Sequence, residues 1–267
     1  MHKKVILVTG ASSGLGNAIA IHLALQGYIV FGTSRKPQAD MGQISMLQLD
    51  VTDDESISTA VAQVIARAGR IDVLINNAGS GLCGALEDTD IDEARWQMDT
   101  NFFGPFRMIK AVLAHMRNQR GGRIITVSSL AGMAALPYQA FYSASKFAIE
   151  GMNEALRLEL AGSGIDATTI NPGDFKTGFT QARVFTRAAR SGVQAAQLAK
   201  TVAIYERDEN HGADALMVAQ LAQRLIEAQR VGLRYTVGRF DQRFGMLLKK
   251  LIPASWFELI MKTTYLS

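Results

Sequence analysis

The sequence predicts an α/β fold: a single doubly wound domain on a seven-stranded, mainly parallel sheet with helices on both faces. Three observations point there. Short aliphatic and β-branched runs alternate with longer helical patterns from the N-terminus onward. Those short runs are apolar end to end rather than alternating with polar residues, which marks a parallel sheet covered on both faces. No repeat, low-complexity stretch or break in composition marks a linker, so the 267 residues read as one domain over 1–267, within the reach of α/β folds of ~250 residues.

The strands expected in chain order are Val5–Val8, then 29–32, 46–49, 73–75, 124–127, 167–170 and a late seventh at 235–237. Helical patterns fill the intervals at 16–26, 54–67, 91–117, 141–160 and 213–228. Right-handed crossovers between such strands place ligands at their carboxyl ends. The segment 178–210 scatters its apolar residues among Arg and Gln. A connection that long in a compact domain is commonly functional or disordered, and it starts at the ligand end of the sheet, so it is expected to be a substrate lid. A C-terminal amphipathic extension covers 239–267. Phe244, Leu247, Leu248, Leu251 and Ile252 recur there at helical spacing beside Lys249 and Lys250, and Trp256, Phe257, Leu259, Ile260 and Met261 follow Pro253.

Composition excludes several classes. With 48% apolar residues and 19% charged, a disordered chain is excluded. One cysteine, Cys83, rules out a disulfide framework or a Cys-rich zinc site and suits a reducing, cytoplasmic setting. The four histidines lack metal-ligand spacing, so no metal is expected. The start runs straight into Val5, too short an apolar region for a signal peptide. The longest uncharged run, 124–145, carries five Ser or Thr together with Pro137 and Gln139, a poor membrane span. Of the net charge of +4, residues 230–267 hold +5 and the rest −1. The bulk is therefore no nucleic-acid binder.

After the first strand comes Thr9-Gly10-Ala11-Ser12-Ser13-Gly14-Leu15-Gly16, opening a helix. Glycines there let backbone approach a pyrophosphate, and the helix end supplies free N–H groups and positive potential. This makes the domain Rossmann-type. Enzymes preferring NAD place an acidic residue about 20 residues on, at the ribose 2′-hydroxyl. Here the first acidic residue in the chain is Asp40, and the second strand ends in Thr33-Ser34-Arg35-Lys36. A guanidinium grips phosphate in a bidentate fork, so Arg35 favours a 2′-phosphate and the expected cofactor is NADP(H).

Tyr142 and Lys146 lie one turn apart on one helix face and can act on one ligand. A phenol ordinarily titrates near ~10, and a neutral-pH acid/base calls for a value nearer ~7. A nearby ammonium and a cationic nicotinamide lower it. Ser129 ends the strand at 124–127, Asn76-Asn77-Ala78-Gly79 ends the fourth strand, and Pro172-Gly173 with Thr177 follows the sixth. Asn101 falls within the long fourth helix.

Together these motifs resemble the short-chain dehydrogenase/reductase family in its single-domain branch. The resemblance runs from Lys4 to about Thr177, with the motifs in order and at family spacing. It implies Tyr142 as proton donor or acceptor, and Ser129 as the hydroxyl holding the substrate oxygen. Lys146 would bind the nicotinamide ribose and lower the Tyr142 pKa, while Asn101 would help hold a relay water. Gly10, Ser12, Ser13, Gly14, Leu15 and Gly16 would cradle the pyrophosphate. Asp50 and Val51 would contact the adenine, with Asp53 or Asp54 as the competing helix caps. Asn77, Ala78, Gly79, Pro172 and Gly173 would line the cofactor, and Thr177 would meet the carboxamide.

The segments around Tyr142 look most like the hydroxysteroid- and retinol-dehydrogenase side of the family. A hydrophobic alcohol or ketone is the expected substrate. A homodimer or homotetramer through helices 91–117 and 141–160 is the expected assembly. The alternatives are a non-catalytic NADP(H) sensor, against which Ser129, Tyr142 and Lys146 all stand, and a membrane-peripheral protein using the basic tail. For 244–261 two roles compete: covering the substrate cleft or a partner subunit, and weak contact with an anionic membrane surface. The cleft or subunit role is the expected one, because so short an amphipathic stretch binds membranes weakly while an apolar cleft beside it buries the same side chains.

Overall fold

In the computed structural model, residues 3–266 are described; Met1, His2 and Ser267, at the ends of the expected domain, lie outside them. Seven strands form one all-parallel sheet in the order β3-β2-β1-β4-β6-β7-β9. They are β1 Val5–Val8, β2 Ile29–Ser34, β3 Ile44–Gln48, β4 Val73–Asn76, β6 Gly122–Val127, β7 Ile165–Pro172 and β9 Arg234–Val237. The helices between them are α1 Gly14–Leu25, α2 Asp54–Ala68, α3 Ile91–Met98, α4 Gly104–Asn118, α5 Ala140–Glu159 and α8 Leu216–Glu227.

Side chains of each strand point alternately to two faces. Ile6 and Val8 of β1 join Ile19 and Leu23 of α1 and Val218 and Leu225 of α8 in one core. Val5 and Leu7 join Val61 of α2, Met108 and Val112 of α4 and Leu156 of α5 in the other. A strand buried on both faces has no polar side to show, hence the unbroken apolar runs. The order reverses between β1 and β4, and ligands bind at such a switch point, beyond the carboxyl ends.

One expectation changes. The helix expected over 91–117 is broken: α3 and α4 are joined by a π-helical turn, Asp99–Phe103. Pro105 has no N–H, so the Asn101 carbonyl loses its i+4 donor. The adjacent Gly104 packs so closely that a Cβ there would lie 2.8 Å from Val51.

The long connection 178–210 carries regular structure. It holds α6 Phe179–Ala182, a two-residue strand β8 Val184–Phe185 and α7 Ala195–Asn210. β8 pairs in parallel with β5 Leu82–Cys83. Leu198, Val202 and Tyr205 give α7 a buried stripe at helical spacing. Cys83 is fully buried beneath this segment, and burial pushes its thiol up to about 11, in keeping with packing rather than reactivity. The tail forms two further helices, α9 Phe240–Leu251 and α10 Ala254–Tyr265.

Candidate active site

The turn after β1 is fastened to the end of β4. The Thr9 hydroxyl accepts the N–H groups of Asn77 and Ala78, each at 3.0 Å. Asn77 Nδ2 donates back to the carbonyls of Thr9 at 3.0 Å and Gly10 at 3.1 Å. Gly10 sits at φ +67°, where a Cβ would lie 2.9 Å from the Ala78 Cα. A Cβ on Gly16 would lie 2.3 Å from both Asn77 Nδ2 and the Gly10 carbonyl. Gly14 opens α1 at φ +57°. Ser12 and Ser13 are exposed and Leu15 is half-buried. α1 has neither a side-chain cap nor an acidic residue in its first turn. Its orphan N–H groups and positive end are thus left for an anion. A cradle this tight, at the switch point, fits a dinucleotide pyrophosphate.

Further along the same edge, Arg35 follows directly on β2 and is exposed, with its carbonyl accepting Gln48 Nε2 at 3.2 Å. Asp50 Oδ1 accepts the N–H of Thr52 at 2.9 Å and its hydroxyl at 2.7 Å, leaving Oδ2 as an acceptor. The cap of α2 is Asp53, whose side chain accepts from Glu55 and Ser56, so Asp50 has no capping duty. Val51 is buried beside it. Across the crevice, a side chain on Gly79 would meet Asn101 Oδ1 at 3.2 Å, and one on Gly14 would meet Thr177 at 3.9 Å. The glycine turn, residues 77–79 and Thr177 therefore share one crevice.

At the sheet's centre, Ser129 follows β6 and Tyr142 lies in the first turn of α5. The Ser129 hydroxyl accepts the Ala131 N–H at 3.0 Å and stands near enough to the Tyr142 phenol to lower its pKa. Its neighbour Ser128 is buried, its Oγ without a hydrogen-bond partner among the described residues. Lys146, one turn after Tyr142, donates from Nζ to the Val127 carbonyl at 3.0 Å and stands 5.8 Å from the Tyr142 ring centre.

Burial pushes the Tyr142 phenol up to about 12, outweighing the nearby Ser129 hydroxyl that lowers it. Burial also pulls Lys146 down to about 8, against the opposing pull of Glu150. Burial in the protein alone raises the phenol, while the lowering expected from the sequence calls also on a bound nicotinamide. The fold strips water from the phenol and directs the ammonium at a backbone carbonyl. A neutral phenol is a proton donor.

Asn101 is buried and uses both ends of its amide. Its Oδ1 accepts the Ser80 N–H at 2.8 Å, and its Nδ2 donates to the Ser80 carbonyl at 2.8 Å and to Ser145 Oγ at 3.2 Å. Ser145 in turn donates to the Tyr142 carbonyl at 2.6 Å. Pro172 ends β7, and Gly173 donates to the Val237 carbonyl at 2.9 Å.

Three supports went unseen in the sequence. Thr9 could have been found, since a polar residue ending an apolar strand beside a glycine motif is itself a signal. Glu150 is buried, takes Asn171 Nδ2 at 2.7 Å, and pairs with Arg234 Nε at 3.2 Å. Gln242 of α9 accepts the Asp174 N–H at 3.1 Å and donates to its carboxylate at 2.5 Å. Burial, reinforced by Glu209, pushes Asp174 up to about 6. No local pattern announces either of these contacts.

Segment 178–210 lies against the site. The Phe179 ring stands 5.9 Å from that of Tyr142. Buried Arg183 pairs with Glu209 at 2.5 Å, and Tyr205 donates to the Pro137 carbonyl at 2.9 Å. The tail closes over both. Thr201 donates to the Tyr265 carbonyl at 2.8 Å, and Lys249 donates to the Met133 carbonyl. Between tail and loop lies a cavity of about 350 Å³ lined by Ala135, Lys249, Ile252, Phe257 and Met261.

Residues 4–188 match the sequence profile of the short chain dehydrogenases. The chain belongs to the short-chain dehydrogenase/reductase family. Within that family it is 41% identical over 266 residues to a 3-ketodihydrosphingosine reductase of Bacteroides thetaiotaomicron, covering 99% of each chain. It is 33% identical to the mouse 17-beta-hydroxysteroid dehydrogenase type 1, over 88% of this chain and 74% of that one. Among solved structures, a short-chain dehydrogenase from Streptomyces avermitilis superposes with a TM-score of 0.80 at 32% identity, covering 98% of this chain and 99% of the other. The protein is thus an oxidoreductase of CH–OH groups with the Rossmann nucleotide-binding architecture of short-chain dehydrogenases.

Proposed function

We propose that the chain is an NADP(H)-dependent oxidoreductase interconverting a hydrophobic secondary alcohol and its ketone, with Tyr142 as general acid/base. The observation that carries this is the convergence of Ser129, Tyr142 and Lys146 beside Phe179 and a crevice shaped to take a dinucleotide. When bound, the nicotinamide supplies or takes the hydride. Ser129 and Tyr142 hold the substrate oxygen between two hydroxyls, and Tyr142, held neutral by burial, gives it the proton in the reductive direction. Lys146 holds the ribose and adds positive charge beside the phenol. The Asn101 carbonyl, freed by Pro105, takes the relay water that returns a proton toward Lys146. Gly10 to Gly16, Asp50, Val51, Asn77, Ala78, Gly79, Pro172, Gly173 and Thr177 line the nucleotide.

The substrate class is a ketone with a long apolar body. What supports this is that the Bacteroides relative is named for 3-ketodihydrosphingosine, and that the cavity of about 350 Å³ under the tail is lined largely by Ala135, Ile252, Ala254, Phe257 and Met261, with Lys249 and Glu258. NADPH oxidation with 3-ketodihydrosphingosine, a 17-ketosteroid and a short water-soluble ketone tests this. Turnover of the long-chain ketone at a kcat/KM at least about tenfold above the short one supports it; preference for the short ketone overturns it.

The 2′-phosphate preference rests on Arg35. Replacing it with Asp puts repulsion in place of an ion pair, so Arg35→Asp is expected to weaken NADPH binding by about 10–100-fold and to favour NADH relatively. Equal affinity of the unaltered protein for both cofactors in titration defeats the assignment.

Lys146, lowered to about 8, is charged below that pH and neutral above it. The kcat/KM profile is therefore expected to fall as pH rises through about 8, well below the range of an ordinary lysine. Glu150→Gln removes the carboxylate that raises Lys146 and moves this limb to lower pH. An alkaline limb near the ordinary lysine value excludes Lys146 as its source.

The assembly we propose is a two-fold homodimer or tetramer through α3, α4 and α5. A hollow of about 610 Å³ opens there between Ile91, Trp96, Met98, Phe103 and Phe141. Phe103, Phe106 and Phe147 are exposed on the same helices. A monomer by light scattering at micromolar concentration excludes it. A reducing, cytoplasmic setting completes the reading.

A further inference from the structure

We propose that the outer face of the C-terminal helix pair docks the enzyme on an anionic lipid surface. Each of these helices carries two different apolar or polar faces. The inner faces are already in use: Gln242 and Lys249 of α9 bind Asp174 and the Met133 carbonyl, and Tyr265 of α10 packs its ring 5.1 Å from that of Tyr205. On the outer faces, Phe240 and Phe244 stack on each other at 6.1 Å, and no hydrogen bond or ring contact ties the side chains of the apolar stripe there to the rest of the described residues. Phe240, Phe244, Leu247 and Leu251 recur at steps of four, three and four along α9, and Trp256 and Leu259 continue the stripe on α10. These six side chains are between 52% and 79% exposed, and neither helix contains a buried residue.

Charge selects the occupant. The acids of the pair are spent within it: Asp241 on Arg239 at 2.8 Å and Glu258 on Lys262 at 2.6 Å. Arg243 and Lys250 flank the stripe, exposed and without an ion-pair partner among the described residues. A second copy docking through a two-fold axis would meet the same patch and set these cations against each other with no acid opposite. An anionic bilayer offers both the apolar depth and the counter-charge. Two short helices, apolar on one side and rimmed by cations, lie in such an interface with side chains reaching ~5–10 Å inward, and a tryptophan suits that depth. The contact is independent of the substrate reading. If that reading holds as well, docking places the cavity beneath α9 and α10 beside a reservoir of long-chain substrate.

The test is co-sedimentation of the full chain with vesicles of phosphatidylcholine alone and with added phosphatidylglycerol. Binding to the anionic vesicles, at least about tenfold weaker on neutral ones and weakened by salt, is the expected result. Two variants read the two components: Leu247→Ser with Leu251→Ser and Trp256→Ser for the stripe, and Arg243→Glu with Lys250→Glu for the rim. Each is expected to cut vesicle binding by at least about tenfold. NADPH affinity and the melting temperature are expected to stay unchanged, because all five side chains point away from the inner contacts. Absence of sedimentation with anionic vesicles overturns the proposal. So does self-association in light scattering that the stripe variant abolishes, which makes the face a subunit interface. Failure of the ketone assay alone leaves the vesicle result standing and falls on the substrate reading.

Discussion

Tyr142→Phe is expected to lower kcat for ketone reduction by about 10³-fold or more, while NADPH affinity stays within about twofold of the unaltered protein. The change removes one oxygen and keeps the ring, so the packing against Phe179 survives and what is lost is the phenol hydroxyl beside Ser129. No other group that touches this spot can take over. Lys146 is turned toward the Val127 carbonyl, and Asp174, the nearest carboxyl of raised pKa, is held by Gln242. Burial pushes the phenol up to about 12, which favours its neutral, donating form, and the substitution removes that donor. The whole pH profile should therefore drop. Single-turnover NADPH oxidation gives the rate, and quenching of protein fluorescence by NADPH gives the affinity. Retention of most of the activity moves the acid/base to another residue.

The architecture was legible because a parallel sheet buried on both faces writes its strands as unbroken apolar runs. All seven expected strands are present, and the glycine turn, Ser129, Tyr142 and Lys146 stand where the sheet's ligand end requires. The illegible features share a different physical cause. Residues 91–117 carry one continuous helical pattern, and the break at Asp99–Phe103 is set by a single ring, Pro105, and by the close approach of Gly104 to Val51. β5 and β8 are two residues each, too short for any periodicity, and they pair across about a hundred positions. Gln242 reaches Asp174 across 68 positions of sequence. The tail's two competing roles were unresolvable as a string because an apolar stripe beside cations serves either role. Only the contacts reveal that Gln242, Lys249 and Tyr265 are spent on Asp174, Met133 and Tyr205, and that the Phe240–Leu251 stripe is left outside.

Two glycines inside helices illustrate the same limit and give opposite expected results. By helix propensity alone, replacing either Gly16 in α1 or Gly151 in α5 with Ala stabilises the protein by up to about 1 kcal/mol. At Gly151 nothing lies within 4 Å of the new Cβ and the position is exposed, so Gly151→Ala is expected to raise the melting temperature by a few degrees. At Gly16 the same methyl arrives 2.3 Å from Asn77 Nδ2 and from the Gly10 carbonyl. Neither can yield alone, because Nδ2 is the donor that ties Thr9 and Gly10 to the end of β4. Overpacking of this kind costs about 1–3 kcal/mol, which outweighs the propensity gain and displaces the turn from its place under the pyrophosphate. Gly16→Ala is therefore expected to lower the melting temperature and to weaken NADPH binding by at least about tenfold, the equivalent of 1.4 kcal/mol. Thermal melts and NADPH titrations of the two variants side by side separate the terms. If Gly16→Ala bound NADPH as tightly as the unaltered protein, the turn between β1 and α1 would not be what holds the nucleotide.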